Sequence, residues 1–439
     1  MKSTIIVRVF TFLLLSVYCL VAWSQGSWEI METPSSQHLR SVYFTDSLYG
    51  WAVGDTGTII HTNDGGDTWI QQDAGTDNKI VHVFFLNRQL GWASSWNFEG
   101  YYGTLILKTT DGGNTWTHHP YPDENLFMNC ILYRDSIHGW MGGSPHAIVR
   151  TNDGGQSWEQ AAIDTTALAF FPVLNIYFYN DQYAYACGGM FDIAGVTWST
   201  SNGGESWQPI SNAQAPADEV HGLHMFDSIS VLGAGGDPDL GYGVGMIRTS
   251  DGGTNWIYEE LSMAGNAFDL DFRNETEAWA PLGPSQKMIY SLDAGTTWTL
   301  VPTPASTSIF DMIFTDSLHG WGVGYNGAVI RYVPKTVGIN EGRGIDNITF
   351  NVFPNPASDI VTIDASIQQD KGMRWETGAL MIVDQYGKTV KSILFEDLPA
   401  VQNIVKLDLT GMPAGLYVLN LTMEGEQATL RYSRKLLLR

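Results

Sequence analysis

Carboxylates and aromatic rings at repeated or clustered positions are the residues of this chain that could bind or transform a ligand. Six short segments share an acidic or amide residue, a glycine pair or Ala-Gly, and a closing tryptophan. These acidic or amide residues are Asp64, Asp111, Asp153, Asn202, Asp251 and Asp293. Three irregular segments between them carry a second set: Trp96, Phe98, Glu99, Tyr101, Tyr102, Asp192, Asp237, Asp239 and Tyr242. Facing carboxylates could hydrolyse a glycosidic bond, whereas rings could stack on a sugar or grip a peptide.

The six segments of the first set, called box turns below, are better explained by folding than by catalysis. Their closing tryptophans stand 42–49 residues apart, from Trp69 to Trp298, which indicates a repeat architecture with several short strands per unit. Adjacent glycines allow positive φ, and an Asp side chain can accept backbone N–H bonds inside such a turn. Because every full repeat has one, we predict that the shared Asp and Asn residues stabilise turns.

Each repeat also has a front half, in which a polar turn precedes a Gly-Trp pair, as in FTDSLYGW (44–51) and FTDSLHGW (314–321). Seven front halves stand against six box turns, and the last front half lacks an outer strand. The segment around Trp28 resembles the end of a box turn. A ring closed by the N-terminal strand explains both the missing outer strand of the last repeat and the segment around Trp28. It also leaves fewer unpaired sheet edges. We predict an all-β chain, with a seven-bladed β-propeller over residues 25–336 and a small C-terminal β-sandwich.

The box turns match the Asp-box (BNR) pattern of sialidases and related propellers. The whole unit GWAVGDTGTIIHTNDGGDTW (50–69) resembles the repeats of the photosystem II stability/assembly factor family. This resemblance implies a propeller, but such propellers host unrelated activities. Sialidases hold a carboxylate with three arginines and carry an Arg-Ile-Pro signature, which this sequence lacks. A basic docking patch of the assembly-factor kind is not expected either, because residues 25–336 contain 11 basic and 34 acidic residues.

Charge and the N-terminal segment limit the partners and the location. The net charge of −23 repels phosphate backbones and anionic membranes, so no nucleic acid partner is expected. Residues 1–24 combine Lys2 and Arg8 with the apolar run Val9–Trp23 and a small-x-small end, which predicts a signal peptide. No later run reaches 18 apolar residues, so no transmembrane segment is expected in the mature chain.

The irregular segments fall on one predicted face. In a four-stranded antiparallel repeat, the box turns join strands three and four, and the loops between strands two and three lie at the opposite edge. Three of these loops are expanded: Trp96–Gly103, Met190–Gly195 and Gly236–Gly243. We predict a glycan or protein site there, because loops on a rigid scaffold carry function. The alternative is that the rings only pack loop against loop.

No cofactor or metal site is predicted with this face, except that Glu99, Asp237 and Asp239 could bind Ca²⁺. His221 and His224 are three apart on a strand, so they face opposite sides and cannot share a metal without a β-bulge. Cys130 and Cys187 are either buried small residues or a disulfide.

The last hundred residues differ from the repeats. Residues 337–346 form a predicted linker, and residues 347–439 alternate β-runs with turns. The strings FPNPASD (353–359), LDLTGMPAGLYVLNL (407–421) and YSRKLLLR (432–439) closely resemble the type A sorting domain of the type IX secretion system. This resemblance implies export by the type IX secretion machinery, removal of the sorting domain, and release or attachment at the outer cell surface.

The favoured hypothesis is a secreted or surface-displayed propeller that binds a glycan or a protein through its loop-rich face without catalysis. An Asp-box propeller glycoside hydrolase, of the sialidase or xyloglucanase kind, is one alternative. A structural adhesin or assembly scaffold is another.

Overall fold

The structure is a computed structural model of the 439-residue chain. It describes residues 26–100, 102–145, 147–164, 167–190, 193–211, 213–237, 243–334, 348–367, 375–384, 389–396, 403–425 and 429–439. The predicted signal peptide and linker lie outside these residues. The chain divides into two compact units, Met1–Pro334 and Lys335–Arg439. A search of the described segments finds no helix that is long and apolar enough to cross a membrane.

The first unit is all-β, as predicted, and its strands form sheets of four or five. They begin with β1 (Ser27–Met31). The first two sheets contain β2 (Leu39–Phe44), β3 (Gly50–Gly54), β4 (Thr58–Thr62) and β5 (Ile70–Asp73), then β6 (Lys79–Phe85), β7 (Gly91–Asn97), β8 (Gly103–Thr109) and β9 (Thr117–Pro120). The next two contain β10 (Phe127–Tyr133), β11 (Gly139–Ser144), β12 (Ala147–Thr151) and β13 (Glu159–Gln160), then β14 (Ala162–Ile163), β15 (Val173–Phe178), β16 (Ala184–Met190), β17 (Ala194–Thr200) and β18 (Ser206–Pro209).

Two further sheets contain β19 (Val220–Met225), β20 (Val231–Gly236), β21 (Gly243–Thr249) and β22 (Ile257–Ala264), then β23 (Asp271–Phe272), β24 (Ala278–Pro281), β25 (Lys287–Ser291) and β26 (Thr299–Pro302). The seventh sheet contains β27 (Ile309–Phe314), β28 (Gly320–Gly324), β29 (Val329–Val333) and the N-terminal β1. Short 3-10 helices span Ala167–Phe170, Gly283–Ser285, Pro304–Ser306 and Tyr325–Gly327.

The N-terminal strand completes the seventh sheet. β1 pairs antiparallel with β29, from Ser27 opposite Val333 to Met31 opposite Val329. Trp28 lies edge-on to Phe314, with ring centroids 5.6 Å apart, which resembles the contact of Trp69 with Phe44 in the first sheet. The innermost strands also contact their neighbours in succession, β2 with β6 and so on to β27, which contacts β2. This arrangement is propeller-like.

The box turns are closed by their own side chains. Oδ1 of Asp64 accepts the backbone N–H of Thr68 at 2.9 Å and the hydroxyl of Thr62 at 2.8 Å. The Thr62 hydroxyl oxygen in turn accepts the N–H of Gly66 at 2.9 Å. Equivalent bonds are made by Asp111, Asp153, Asn202, Asp251 and Asp293. The hydrogen bonds from Thr115 and Thr109 lower the pKa of Asp111, because they stabilise its carboxylate.

Neighbouring sheets are joined by tryptophans of the second strands. Trp51 is fully buried and stacks on Phe85 of the next sheet, with ring centroids 3.6 Å apart. Its Nε1 donates to the carbonyl oxygen of Gly112, in the box turn of that sheet, at 3.1 Å. Trp321 likewise stacks on Phe44 at 3.5 Å and donates to the carbonyl of Gly65 at 2.9 Å. These two box turns therefore support the adjacent sheet as well as their own.

The two cysteines of the described chain are free and buried, so no disulfide joins Cys130 to Cys187. Burial raises the pKa of Cys130 to about 12, which keeps its thiol protonated.

The second unit contains two sheets. β30 (Ile348–Phe353), β31 (Ile360–Ile367) and β34 (Asn403–Asp408) form one; β32 (Trp375–Asp384), β33 (Thr389–Glu396), β35 (Gly415–Gly425) and β36 (Thr429–Leu438) form the other. Residues of both sheets, including Val361, Leu407, Leu380, Leu419 and Leu436, share one buried apolar core. Two sheets around a common core are the arrangement of a β-sandwich.

The last box turn carries an alanine where the five others have glycine, and this predicts a stabilising substitution. Ala294 has φ of 56°, whereas Gly252 occupies the same position with φ of 76°. The left-handed region costs a non-glycine residue roughly 1–2 kcal/mol. After the larger chain entropy of glycine in the unfolded state is subtracted, we expect Ala294→Gly to raise the free energy of unfolding by about 0.5–1 kcal/mol. Urea unfolding followed by tryptophan fluorescence measures this.

Gly252→Ala is the matched reverse substitution. A Cβ at Gly252 would meet Ile229 at 3.6 Å, an ordinary contact, so its cost comes from φ alone. We expect it to lower the unfolding free energy by a similar amount. Loss of stability in Ala294→Gly would contradict this account of the turn.

Candidate ligand-binding face and central cavity

The candidate site lies on the face opposite the box turns, called the loop face here. Because the strands are antiparallel, the loops that join second and third strands and the links between sheets lie at the same ends of the strands. The loop from β7 to β8 and the loop from β20 to β21 are both on this face. Tyr101, Asp192, Asp239 and Tyr242, four of the predicted site residues, lie outside the described residues.

An aromatic cluster stands on the loop face at the second and third sheets, and consists of Trp96, Phe98, Tyr102 and Phe127. Phe98 and Phe127 are stacked, with ring centroids 5.2 Å apart, and Tyr102 lies edge-on to Phe127 at 5.1 Å. Phe98 is 54% exposed and Tyr102 is 43% exposed. The rings therefore pack against each other, as the alternative interpretation supposed, and still present a surface to solvent.

Contacts of Trp96 with β10 and with Lys79 hold the cluster in place. Nε1 of Trp96 donates to the carbonyl of Met128 at 2.9 Å, which anchors the ring to β10. The ammonium of Lys79 lies 3.9 Å from the centroid of the Trp96 ring, a cation–π distance. Burial, and then the nearby charge of Arg40, lower the pKa of Lys79. Phe127 was not predicted from the sequence, because an aromatic residue at the start of an inner strand is usually part of a core.

Two of the predicted carboxylates, Glu99 and Asp237, lie within the described residues. Glu99 is exposed in the β7–β8 loop of the second sheet, and Asp237 is buried after β20 of the fifth sheet. The structure thus describes one carboxylate from each of two separate sheets. In the part of the chain that it describes, no three His, Cys, Asp or Glu side chains form a group that could hold a metal ion.

A central cavity of about 500 Å³ was not predicted by the sequence analysis. Its walls come from the innermost strand, or the residues next to it, of every sheet in the first unit. The polar residues among them include Ser41, Tyr43, His82, Asn175, Tyr177, His224, Asp269, Asp271 and Asp311.

Several of these polar residues bridge neighbouring inner strands. Oδ2 of Asp311, on β27, accepts the backbone N–H of Val42, on β2, at 2.7 Å. Oδ2 of Asp269 accepts the N–H of Met312 at 2.9 Å. Weaker bonds at 3.4 Å join Val83 N–H to the hydroxyl oxygen of Ser41 and Ile131 N–H to Nδ1 of His82. Inner strands of adjacent sheets do not pair in a ladder, so these side chains satisfy their backbone groups.

Burial shifts the titration of the cavity residues toward their neutral forms. It raises the pKa of Asp269 to about 6 and that of Asp271 to about 7. Burial and the adjacent Asp269 hold the pKa of Asp311 well above its usual value. Burial lowers the pKa values of His82 and His224 to about 4. Oδ2 of Asp269 and Oδ2 of Asp311 each accept a backbone N–H of the next sheet, so these carboxyls hold inner strands together.

Repeated four-stranded sheets, box turns and a central cavity together define this unit as a propeller-like Asp-box protein. The family model described as photosynthesis system II assembly factor YCF48 matches residues 21–122 and 121–257, more than half of the chain. The chain therefore belongs to the YCF48 family. Residues 351–436 match the model described as secretion system C-terminal sorting domain. Both families suggested by the sequence are thereby confirmed.

Curated relatives match parts of the first unit. The photosystem II assembly lipoprotein Ycf48 of a Synechococcus strain is 28% identical over 149 residues, which cover 32% of this chain and 42% of the relative. The photosystem II stability/assembly factor HCF136 of Arabidopsis thaliana is 24% identical over 264 residues, which cover 53% of this chain and 60% of the relative. The chain thus spans less than two thirds of either relative.

Solved structures agree on the fold. A structure described as YCF48 bound to D1 peptide has a TM-score of 0.56 and 22% identity, and the alignment covers 71% of this chain and 99% of that chain. At this identity the likeness shows the fold alone.

The cavity carboxyls predict an unusual dependence of stability on pH. A carboxyl whose pKa is raised on folding contributes stability that is complete below its unfolded pKa and is lost as pH rises through its folded pKa. For Asp271 this window runs from 3.8 to about 7. The whole shift corresponds to a loss on the order of 4 kcal/mol. We expect Asp271→Asn to reduce the fall in unfolding free energy between pH 4.5 and pH 8, measured by urea titration.

Asp111→Asn is the control, because the pKa of Asp111 is lowered on folding. Its contribution is present above its unfolded pKa and is lost only as pH falls below about 4. The control should therefore leave the slope between pH 4.5 and pH 8 unchanged. If Asp271→Asn keeps the wild-type dependence of unfolding free energy on pH, the raised pKa of Asp271 is contradicted.

Proposed function

We propose that this chain is an exported, non-catalytic binding protein that holds a segment of another protein, or a glycan, on the aromatic cluster of its loop face. The observation that carries the proposal is the partial exposure of Phe98 and Tyr102 around the anchored rings of Trp96 and Phe127. Exposed rings that pack on an anchored ring bind ligands at lower entropic cost, because their positions are already restricted. The hydrogen-bonded carboxyls of the cavity argue against hydrolysis there.

We further propose that the seven sheets are the blades of a closed propeller over residues 25–336. The pairing of β1 with β29 supports closure, and so does the bond from Val42 N–H to Asp311, which joins the first and seventh sheets. A closed ring would give the loop face a rigid base. The predicted turn role of the box aspartates belongs to this proposal, supported by the hydrogen bonds inside each turn.

The choice of ligand rests on two arguments. YCF48, which has the same fold, has been solved bound to the D1 peptide, and a peptide is a ligand that exposed aromatic rings can hold. The repeats carry a large acidic excess, so a neutral or basic segment suits this surface better than an acidic one. Sugar rings stack on the same kind of surface, which keeps a glycan within the proposal.

The location follows from the C-terminal match. A secretion sorting domain at residues 351–436 implies export and release or attachment at the cell surface. We propose that residues 1–24 act as a signal peptide, residues 337–346 as a linker and residues 347–439 as the sorting domain that the type IX machinery recognises. The aromatic cluster would then face the medium outside the cell.

Binding is tested with the full-length protein on peptide and glycan arrays. We expect one array to give ligands, and the double variant Phe98→Ala, Tyr102→Ala to weaken their binding at least tenfold. Two exposed rings that anchor a ligand contribute about 1–2 kcal/mol each, which corresponds to this loss. Isothermal titration of the best ligand measures the change.

Ile257→Ala is the matched control, because Ile257 is 71% exposed on the outer strand β22, away from the cluster. It should leave the affinity unchanged. No ligand on either array, or an equal affinity of the double variant and the wild type, would contradict the proposed function.

Export is tested in a bacterium that has a type IX secretion system. We expect deletion of residues 347–439 to retain the protein within the cell envelope, because the sorting signal is lost. Immunoblots of medium, surface and periplasm locate it, and mass spectrometry of exported wild-type protein should find the sorting domain removed. Export of the truncated chain at the wild-type level would refute the sorting role.

A further inference from the structure

A second cavity, of about 670 Å³, lies on the loop face at the sixth and seventh sheets and is called the uncharged groove here. Its walls come from the end of β1 and the segment after it, the β24–β25 loop, the link after β26 and the β28–β29 loop. The lining residues are Ile30, Met31, Thr33, Pro34, Ser35, Ser36, Gln286, Ala305, Ser306, Thr307, Ser308, Tyr325, Asn326, Gly327 and Ala328. The aromatic cluster, in the second and third sheets, contributes nothing to these walls.

The chemistry of the lining is unusual for this chain. None of the fifteen lining residues is Asp, Glu, Lys, Arg or His, although the net charge of the protein is −23. Six of them carry hydroxyls on Ser or Thr, and Gln286 and Asn326 add side-chain amides. A charged ligand would lose hydration here without gaining a counter-charge, whereas a neutral ligand rich in hydroxyls could exchange its water bonds for these groups.

The backbone around the groove is held in an uncommon conformation. Gln286, Ala305, Ser306 and Asn326 have φ of 56°, 50°, 53° and 57°, and they are four of the seven non-glycine residues with positive φ in the described chain. Such residues cluster at ligand sites, where the surroundings hold them in place. They present their side chains in directions that the usual backbone regions do not allow.

Hydrogen bonds hold this backbone. The hydroxyl of Thr303 is within bonding distance of the carbonyl oxygens of Gln286, at 3.0 Å, and Thr307, at 2.6 Å, and so ties two walls together. The N–H of Asn326 donates to Nδ1 of His38 at 3.0 Å. The groove is therefore ordered before any ligand binds, which lowers the entropic cost of binding.

We propose that the uncharged groove binds a neutral oligosaccharide. An extended peptide is the weaker candidate, because its side chains need apolar pockets, whereas hydroxyls and amides dominate these walls. The ring of Tyr325 is packed between His38, with centroids 4.2 Å apart, and Phe310, at 4.3 Å. Sugar recognition here rests on hydrogen bonds to hydroxyl and amide groups rather than on stacking against this ring.

The experiment titrates the full-length protein with neutral hexasaccharides of glucose, xylose and mannose, and with a hyaluronan hexasaccharide as the charged comparison. We expect at least one neutral hexasaccharide to bind and the charged one not to bind. Gln286→Glu, which keeps the side-chain shape and replaces the amide by a carboxylate, should weaken binding at least tenfold. Gln286 is exposed, so the fold should persist, and the thermal midpoint checks this.

Gln71→Glu is the matched control, because it introduces the same charge at an exposed position on the outer strand β5. It should bind as the wild type does. The second groove variant, Ser306→Gly, suits the positive φ and should fold, and its affinity should fall because a hydroxyl is lost.

The inference is overturned by failure of every neutral hexasaccharide to bind, by tighter binding of hyaluronan, or by binding that Gln286→Glu and Ser306→Gly leave unchanged. If uncharged peptides displace the hexasaccharide at concentrations below that of the sugar, the ligand of the groove is a peptide and not a glycan. If the Phe98→Ala, Tyr102→Ala variant loses binding and the groove variants keep it, the sugar binds at the aromatic cluster. That result would contradict this inference and leave the proposed function standing.

Discussion

Contacts between side chains and backbone hold neighbouring sheets of the first unit together, and the remaining features depend on them. Ladders of paired strands lie within each sheet, whereas adjacent sheets meet through stacked rings and single hydrogen bonds. The bond from Trp51 to the carbonyl of Gly112 joins the first sheet to the second. The bond from Val42 N–H to Asp311 joins the first sheet to the seventh. Each is worth about 1 kcal/mol net, and a stacked pair adds about 0.5–1.5 kcal/mol beyond its buried area.

These contacts between sheets explain why the box turns are similar to each other and the loops of the opposite face differ. The box turns that contain Gly65 and Gly112 close their own hairpins and also present a carbonyl to a tryptophan of the adjacent sheet, so two constraints act on each of these short segments. The loops of the other face meet neither constraint. Trp96 and Phe127 could therefore join a surface cluster, and Gln286 and Asn326 could take up positive φ, without disturbing the joints between sheets.

The periodic part of this fold could be predicted from the sequence, because the spacing of Gly-Trp pairs and box turns reports local hairpins. The cavity could not. Asp311 lies on an inner strand and Asp269 just before one, and the partner of each is a backbone N–H on the next sheet, which periodicity does not identify. The groove was missed for a similar reason, since its walls come from segments near residues 33, 286, 306 and 326. Of the predicted site residues, Trp96, Phe98 and Tyr102 do meet in space, through Phe127, whose position at the start of a strand suggested only a core role.

The pairing of β1 with β29 also determines when the seventh sheet can form. Ser27 and Val333 lie at opposite ends of the unit, so their contact has a very large sequence separation, and contacts of this kind form late in folding. A chain that crosses a membrane from its N-terminus exposes β1 long before β29 arrives. Until then Trp28 lacks Phe314, Trp279 and Tyr332, the rings that cover it in the folded unit. The seventh sheet is therefore the last that can be completed, because β1 gains its strand partner only once β29 is present.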